Sequence, residues 1–318
     1  MSSAQDAPMV GTRVVPFLCV ADGKVIPGLL ALLASAVTHL ARGWRLSVHV
    51  LDLGLSDAEQ NFIRKALRPF GERVALGFRK LDVDVSECFQ GSVHVHVAAY
   101  GKCFLPEMFS DLSWGIYADV DMLIGLDLSK LAHSSLGGYP LAAVQDWEGK
   151  CGDRLPRELL AAEGIDLETP YFNTGFMVLD LEQMRLMQMQ HAMLALIREY
   201  GEHFKYLDQD AYNIVLRGRW MRLDPACNTL FTLTEDVPRR LPWRACNPHT
   251  IGRNKAWKFK RVGAAGLVRS FYGYLDKTDA GYGDCPGASL AYPRGLARWR
   301  LYWGYYRRKI LRFVLEGE

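Results

Sequence analysis

Two aspartates spaced two residues apart, Asp119 and Asp121, interrupt an apolar run in the segment WGIYADVDMLIGLDL at 114–128. A buried carboxylate without a partner is costly, so this pair needs a compensating charge. Residues two apart in an extended chain point the same way, which lets both carboxylates reach one ion. Oxygen ligands favour hard cations such as Mg²⁺ and Mn²⁺. The spacing indicates a metal site, and two unpaired carboxylates at a strand end are the alternative.

The same D-x-D spacing also occurs at Asp82/Asp84 and at Asp208/Asp210, so spacing alone is a weak signal. The first of these pairs lies in KLDVDVSE, where no other polar group completes a site, and it favours a solvated strand end. The pair at 119 and 121 differs because it closes an apolar strand.

The elements around these aspartates predict an α/β domain. Short runs rich in branched apolar residues predict buried strands, and longer amphipathic or apolar runs predict helices between them. We expect strands at 13–20, 45–53, 73–81, 115–118, 139–145 and 173–180, and helices at 27–41, 56–67, 95–109, 181–199 and 208–217. Alternation of this kind gives mostly parallel strands, and ligands then bind beyond their carboxyl ends. Asp22, Asp119 and Asp121 should therefore share one edge of the sheet.

Composition fits a globular protein, since 49% of the 318 residues are hydrophobic and 23% are charged. Seven of the 38 Lys and Arg residues lie between Arg294 and Leu315, which leaves 31 basic residues against 35 acidic ones elsewhere. The seven cysteines are scattered without a C-x-x-C pair, which suits reduced thiols in the cytosol. The N-terminus lacks a signal-peptide pattern, and the apolar run at 26–37 is too short to span a bilayer.

Six segments resemble, in the same order, motifs of glycosyltransferase family 8, the retaining sugar transferases. They are VAD (20–22), AAYGKCFLPEMF (98–109), YADVDMLI (117–124), YFNTGFMVLDL (171–181), YLDQDAYN (206–213) and HTIGRNKAW (249–257). The chain resembles in particular bacterial lipopolysaccharide and lipooligosaccharide galactosyl- or glucosyltransferases. The resemblance implies a single GT-A-type, Rossmann-like α/β domain at 13–290 with a mostly parallel central sheet. A flexible N-terminus at 1–12 and a basic helical tail at 291–318 would flank it.

The resemblance implies a metal centre that holds the diphosphate of a UDP-sugar. Asp119, Asp121 and His249 would bind Mn²⁺, with Mg²⁺ as the alternative, and the ion would neutralise charge on the leaving UDP. Lys255 would add a positive charge at the phosphates, and Gly252 would let the backbone approach them. An ordinary surface lysine is the alternative for Lys255.

Further positions are implied to bind the donor. They are Val20, Ala21, Asp22 and Lys24 near the nucleoside, Lys102 at the donor sugar or the diphosphate, Val120 between the two aspartates, and Asn173 at the sugar. Lys102 stands where the family commonly has arginine, so the charge is kept but the bidentate fork is lost. Lys24 stands where the family often has a short polar residue. A simple turn aspartate is the alternative for Asp22.

Asp208 and Gln209 are implied to be the catalytic pair. An amide is a poor nucleophile, so double displacement through Gln209 is disfavoured, and the acceptor hydroxyl would attack from the face that UDP leaves. Gln209 would stabilise oxocarbenium charge through its carbonyl dipole, while Asp208 would orient donor hydroxyls. An aspartate N-cap on an ordinary helix is the alternative for this segment. His94 and Tyr206 fall where family members contact the acceptor.

The tail resembles an interfacial helix. Its apolar stripe is formed by Leu296, Trp299, Trp303, Tyr306, Ile310 and Phe313. Basic residues lie largely opposite, a pattern typical of helices that bind anionic lipid in the plane of a membrane. We expect a cytoplasmic enzyme held peripherally on the inner face of the cell membrane through residues 294–315. A helix packed on the body is the alternative, and nucleic acid is not expected as a partner.

Together these features predict a metal-dependent retaining hexosyltransferase that moves galactose or glucose from a UDP-sugar to a glycan or glycolipid hydroxyl. A protein- or self-glycosylating enzyme of the same family and a catalytically weak UDP-sugar-binding protein are the alternatives.

Overall fold

The computed structural model describes residues 13–82, 100–132, 134–231, 245–252, 255–258 and 266–280. Within these ranges, seven strands form one sheet in the order β3-β2-β1-β4-β6-β5-β7. Their bounds are β1 Arg13–Ala21, β2 Trp44–Asp52, β3 Val74–Lys80, β4 Trp114–Ala118, β5 Leu141–Lys150, β6 Pro170–Asp180 and β7 Met221–Arg222. The first six overlap the six strands expected from the sequence, and their bounds differ by up to five residues.

All of these strands run parallel except β6, which is antiparallel to both β4 and β5. The expectation of a mostly parallel sheet is therefore confirmed. The carboxyl ends of β1, β4 and β5 meet at one edge, beside the amino-terminal half of β6. Two short strands, β8 Thr229–Phe231 and β9 Pro248–Thr250, pair in parallel as a separate sheet in the described part of the chain.

Helices cover both faces of the large sheet. The described α-helices are Ile26–His39, Asp57–Ala66, Leu105–Met108, Arg157–Ala162, Leu181–Leu186, Met189–Tyr200, Asp208–Leu216 and Gly266–Leu275. Successive side chains of a strand point to opposite faces, so Phe17 and Cys19 of β1 join one hydrophobic core while Leu18 and Val20 join the other. Burial on both faces explains why β1 is continuously apolar rather than alternating.

Two sequence expectations need correction or restriction. The expected helix 181–199 is interrupted: Gln188 adopts a left-handed conformation with φ 51° and separates two helices. No Gly or Pro marks this break in the sequence. Of the expected helix 95–109, the part before Tyr100 lies outside the described residues, and the remainder combines a 3₁₀ turn at Gly101–Phe104 with the short helix Leu105–Met108.

Among the helices in the described ranges, none is both long and apolar enough to cross a bilayer. Five cysteines in the described ranges are buried free thiols, which agrees with the expectation of reduced cysteines: Cys19, Cys103, Cys151, Cys227 and Cys246. The N-terminal segment 1–12 and the tail 291–318 lie outside the described residues.

Candidate active site

The aspartate pair lies directly beyond β4. The backbone N–H of Asp119 donates to the carbonyl oxygen of Gly175 on β6 at 2.8 Å, which anchors the turn to the sheet. The Tyr117 hydroxyl donates to Asp119 Oδ1 at 2.6 Å, and Lys102 Nζ lies 3.1 Å from the same oxygen. A phenol and an ammonium group therefore supply the compensation that this carboxylate needs.

His249 reaches the pair from a segment 130 residues further along the chain. The Thr250 N–H donates to the Asp121 carbonyl at 3.0 Å, and the Leu123 N–H donates to the Pro248 carbonyl at 3.0 Å. These bonds place His249 Nε2 at 3.1 Å from Asp121 Oδ1 and 3.8 Å from Asp119 Oδ2. One ligand atom from each of the three residues lies within 4.8 Å of the others.

These three residues fit a divalent cation. Asp121 Oδ1 is a buried oxygen that accepts no hydrogen bond from any described residue, although an imidazole nitrogen lies beside it. Two carboxylates and one imidazole suit Mn²⁺ or Mg²⁺, because such ions prefer oxygen ligands and tolerate nitrogen. Burial alone would raise the pKa of the Asp121 carboxyl, but the Lys255 ammonium beside it lowers that pKa. The geometry favours a metal centre over two unpaired carboxylates.

Lys102 joins the metal-site carboxylate to Asp208. Its Nζ atom lies 3.1 Å from Asp119 Oδ1 and 2.9 Å from Asp208 Oδ2, and it donates to the Thr174 hydroxyl at 3.2 Å. Burial alone would lower the pKa of Lys102, yet the two carboxylates raise it above its usual value. Burial raises the pKa of Asp208, and the Lys102 charge opposes that shift. Lys102 is therefore a structural cation of the site.

Asp208 and Gln209 begin the helix Asp208–Leu216 and point into the protein. The Thr174 hydroxyl donates to Asp208 Oδ2 at 3.0 Å, and the Thr174 N–H donates to Gln209 Oε1 at 3.2 Å. Asp208 makes no capping hydrogen bond, because Leu207 occupies the N-cap position with φ 51°. The N-cap alternative for Asp208 is therefore wrong. Its carboxylate is directed at Lys102 and Thr174 instead.

Asp146 on β5 is a central residue of the site. It forms an ion pair with the buried Arg154 at 2.7 Å, and it accepts from the side-chain amides of Asn173 at 3.2 Å and Gln209 at 3.4 Å. Arg154 in turn donates to the Tyr206 hydroxyl at 2.6 Å and stacks on its ring. Tyr206 is 37% exposed, so this network links Asp146 and Gln209 to the surface.

The nucleoside positions lie at the end of β1. Val20 and Ala21 are buried, and Asp22 follows them with its Oδ1 accepting from the Lys24 N–H at 2.9 Å. This bond is that of a turn aspartate, and no other residue in the described part of the chain donates a hydrogen bond to Asp22 Oδ2. The Lys24 side chain is exposed, and Val120 is half-buried between the two aspartates.

Gly252 and Lys255 follow β9. Gly252 has φ +82°, a conformation that side chains rarely adopt, so a glycine is needed there for the turn itself. Lys255 Nζ contacts Asp121 Oδ2 and donates to the Thr250 carbonyl at 2.9 Å. Lys255 is therefore a residue of the site rather than an ordinary surface lysine. His94, the second expected acceptor residue, lies outside the described residues.

Several residues of this site were not identified from the sequence: Tyr117, Asp146, Arg154, Thr174 and Asn228. Asp146 carried a usable signal, since it directly follows the expected strand 139–145 and so falls at the same edge as Asp119. Asn228 carried none, because it precedes a three-residue strand that no periodicity reveals.

Comparison with solved structures identifies the fold. The galactosyltransferase LgtC in complex with donor and acceptor sugar analogs matches with a TM-score of 0.68 at 21% identity, over 84% of this chain and 97% of that one. Mouse xyloside xylosyltransferase 1 matches with a TM-score of 0.54 at 15% identity, over 74% of this chain and 97% of that one. The fold is thus the GT-A-type fold expected from the sequence.

The model of the family "Glycosyl transferase family 8" matches residues 17–260, and the chain belongs to this family. General stress protein A of Bacillus subtilis is 29% identical over 252 residues, which span 74% of this chain and 85% of that protein. The lipopolysaccharide 1,2-glucosyltransferase of Escherichia coli is 27% identical over 184 residues, 57% of this chain and about half (49%) of that protein. The resemblance found from the six motifs is therefore confirmed.

Proposed function

We propose that this glycosyltransferase moves a hexose, galactose or glucose, from a UDP-sugar to a hydroxyl of a glycan, with a divalent cation and with retention at the anomeric carbon. The observation that carries the proposal is the convergence of Asp119, Asp121 and His249 within 4.8 Å, beside Asp208 and Gln209. A cluster that fits a divalent cation, next to buried polar side chains, suits a donor that carries both a diphosphate and a sugar.

The diphosphate would lie at the aspartate pair. A divalent cation, Mn²⁺ or Mg²⁺, would neutralise the negative charge of the leaving diphosphate when bound. Asp119, Asp121 and His249 are the residues that would hold it, and Lys255 would supply a further positive charge to the phosphates. Val20, Ala21, Asp22, Lys24, Val120 and Gly252 would line the nucleotide.

The sugar would lie over Asn173, Asp208 and Gln209. In the transfer, the bond from C1 to the phosphate oxygen breaks with its electron pair on UDP, and the acceptor oxygen bonds to C1 from the same face. The acceptor proton passes to the leaving phosphate oxygen. Gln209 is an amide held by Thr174 and Asp146, so it supports positive charge at C1 as a dipole rather than as a nucleophile. Asp208, held by Lys102, would orient donor hydroxyls.

The acceptor would enter beside Tyr206, and His94 is the second residue expected from the sequence to contact it. We propose a lipopolysaccharide, lipooligosaccharide or related glycolipid as the acceptor, supported by the similarity to the Escherichia coli lipopolysaccharide 1,2-glucosyltransferase. The basic, aromatic segment 294–315 would hold the enzyme on the cytoplasmic leaflet of the membrane, where such acceptors are lipid-linked.

The test is UDP release from UDP-galactose, UDP-glucose and other UDP-sugars by the full-length protein, with Mn²⁺ or with EDTA. We expect release with one of the two hexoses, its loss in EDTA, and a loss of roughly a hundredfold or more in Asp119→Asn. Asp111→Asn is the matched control, because its side chain is 57% exposed in a surface ion pair with Arg79. Release that is indifferent to EDTA and to Asp119→Asn would contradict the metal role.

A further inference from the structure

Four buried polar side chains form a continuous line that ends at His249. Asn173 Nδ2 lies 3.2 Å from Asp146 Oδ2, Asn173 Oδ1 lies 2.7 Å from Asn228 Nδ2, and Asn228 Oδ1 lies 3.0 Å from His249 Nδ1. All four residues are less than a tenth exposed. Buried polar groups that are this well paired constrain one another's orientation.

Asn173 sets which group donates and which accepts in each hydrogen bond of this line. Its amide nitrogen faces the Asp146 carboxylate, which is ion-paired with Arg154 and accepts hydrogen bonds. Its oxygen accepts from the Gly175 backbone N–H at 2.9 Å, a group that can only donate. Two independent neighbours therefore place the nitrogen of Asn173 towards Asp146 and the oxygen towards Asn228.

The orientation of Asn173 also determines which ring nitrogen of His249 carries the proton. The Asn173 oxygen requires a donor from Asn228, so the Asn228 amide nitrogen faces Asn173 and the Asn228 oxygen faces His249. An amide oxygen only accepts, so the hydrogen bond to it requires a proton on His249 Nδ1. The ring nitrogen on the other side, Nε2, faces the carboxylates of Asp119 and Asp121.

We propose that Asn228 is a positioning residue that keeps the proton of His249 on Nδ1 and so presents the Nε2 lone pair to the metal. The line from Asp146 through Asn173 enforces the orientation of Asn228. Histidine ligands generally rely on such a partner for their tautomer and ring orientation. The metal part of this inference rests on the proposed function, whereas the hydrogen-bond direction does not.

The line also connects the metal to the sugar side of the site. The Asn173 oxygen is occupied by Gly175 and Asn228, and one amide N–H is directed to Asp146. Within the described ranges the second N–H of Asn173 makes no hydrogen bond, so it would be free to donate to a donor sugar. Asn173 would therefore orient Asn228, the partner of His249, and also donate to the sugar. A change in the position of Asn173 would affect both the metal ligand and sugar binding.

The experiment compares full-length wild-type protein with Asn228→Ala, Asn228→Asp and Asn213→Ala. Asn228→Asp keeps an oxygen acceptor opposite His249 Nδ1. Asn213→Ala is the matched control, since Asn213 is equally buried and hydrogen-bonded to the backbone of Phe172 and Gln209 but makes no hydrogen bond to the histidine. Protonation of each ring nitrogen is read from ¹⁵N–¹H correlation spectra of histidine-labelled protein, free and with Mg²⁺ and UDP. His249→Gln identifies the signals, and Mn²⁺ affinity is measured by electron paramagnetic resonance.

We expect a protonated Nδ1 in wild type, both free and loaded, and a shift of the proton towards Nε2 in free Asn228→Ala. Mn²⁺ should bind that variant about 10- to 100-fold more weakly. Asn228→Asp should keep the Nδ1 proton and most of the affinity, and Asn213→Ala should keep both. A wild-type ring protonated only at Nε2, or an unchanged ring and Mn²⁺ affinity in folded Asn228→Ala, would overturn the inference. Failure of UDP-sugar turnover would instead contradict the proposed function, because the ring state of the free protein tests the asparagine line independently.

Discussion

The His249 ring occupies space that a side chain at Gly175 would need. A Cβ atom placed on Gly175 would lie 2.2 Å from Cε1 and 2.5 Å from Nδ1 of His249. The Gly175 carbonyl also accepts the hydrogen bond from the Asp119 N–H. Strand β6 therefore supports both parts of the Asp119, Asp121 and His249 cluster. Its backbone anchors Asp119, and the absence of a side chain at Gly175 leaves room for His249.

Replacing Gly175 by alanine should displace His249 from the two aspartates. We expect the Mn²⁺ dissociation constant to rise by about tenfold or more, since the imidazole must move while Asp119 and Asp121 remain in place. Titration of Mn²⁺ by calorimetry measures the change. Gly77→Ala is the control on another strand, because its Cβ would meet only the Val48 carbonyl at 3.8 Å. Equal Mn²⁺ affinity in Gly175→Ala and wild type would show that His249 is not a ligand.

Lys102 should contribute strongly to folding stability. Lys102→Met leaves two carboxylates, Asp119 and Asp208, without their shared buried cation. Removing one partner of a buried ion pair typically costs about 3–5 kcal/mol. Urea unfolding at pH 8 measures this loss, and Lys150→Met is the control, because its ion pair with Glu168 lies at the surface. A difference below about 1 kcal/mol between the two variants would contradict the buried role.

The contribution of Lys102 should also depend on alkaline pH. Its pKa in the folded protein lies above the ordinary value of 10.5, so the folded state retains this proton more strongly than the unfolded state. The stabilisation is complete below pH 10.5 and is lost as the pH rises towards the folded-state pKa. Lys102→Arg keeps its charge throughout. Wild type should therefore lose stability relative to Lys102→Arg as the pH rises above about 10.5, and a constant difference from pH 8.5 to pH 12 would exclude the shift.

Lys255 should oppose metal binding before the nucleotide arrives. Its ammonium group contacts Asp121 Oδ2, one of the oxygens offered to the cation. We expect Lys255→Met to bind Mn²⁺ roughly fivefold more tightly without nucleotide, equivalent to about 1 kcal/mol, and to raise the KM for the UDP-sugar. The exposed Lys258 provides the control substitution. Tighter UDP-sugar binding in Lys255→Met would contradict a phosphate role for this residue.

The basic tail should bind anionic membranes. We expect that reversing four charges of the tail in the full-length protein abolishes its sedimentation with phosphatidylglycerol vesicles, because each basic residue contributes roughly 1 kcal/mol near such a surface. The residues changed to Glu are Arg307, Arg308, Lys309 and Arg312. Reversal of four exposed basic residues of the body is the control: Arg42, Lys65, Arg68 and Lys130. Equal sedimentation of both variants and of wild type would favour a tail packed on the body.

The sequence predicted the candidate metal cluster by two routes, a local pattern for the two aspartates and the family resemblance for His249. Asp119 and Asp121 close an apolar strand, and the parallel sheet brings that strand end beside Asp22. His249 was reached only through its resemblance to the family motif, since a lone histidine before Gly252 and Lys255 has no periodicity that links it to a strand 130 residues earlier. The backbone bonds from Thr250 to Asp121 and from Leu123 to Pro248 make that link in three dimensions.

The residues that orient the site could not be derived in the same way. The amide nitrogen of Asn228 donates to Asn173, and its amide oxygen accepts from His249. These partners lie 55 residues before and 21 residues after Asn228. No local pattern encodes such a line of contacts. The break at Gln188 was missed for a different reason, because the helical periodicity continues across it while the backbone there turns left-handed.

The most direct test of the account is the position of manganese in crystals of the full-length protein grown with Mn²⁺ and UDP. Anomalous scattering from manganese identifies the ion without reference to the protein model. We predict one strong anomalous peak within ligand distance of Asp119, Asp121 and His249 Nε2, in contact with the UDP diphosphate. An ordered UDP with no manganese at these three residues, or with manganese bound elsewhere, would contradict the account.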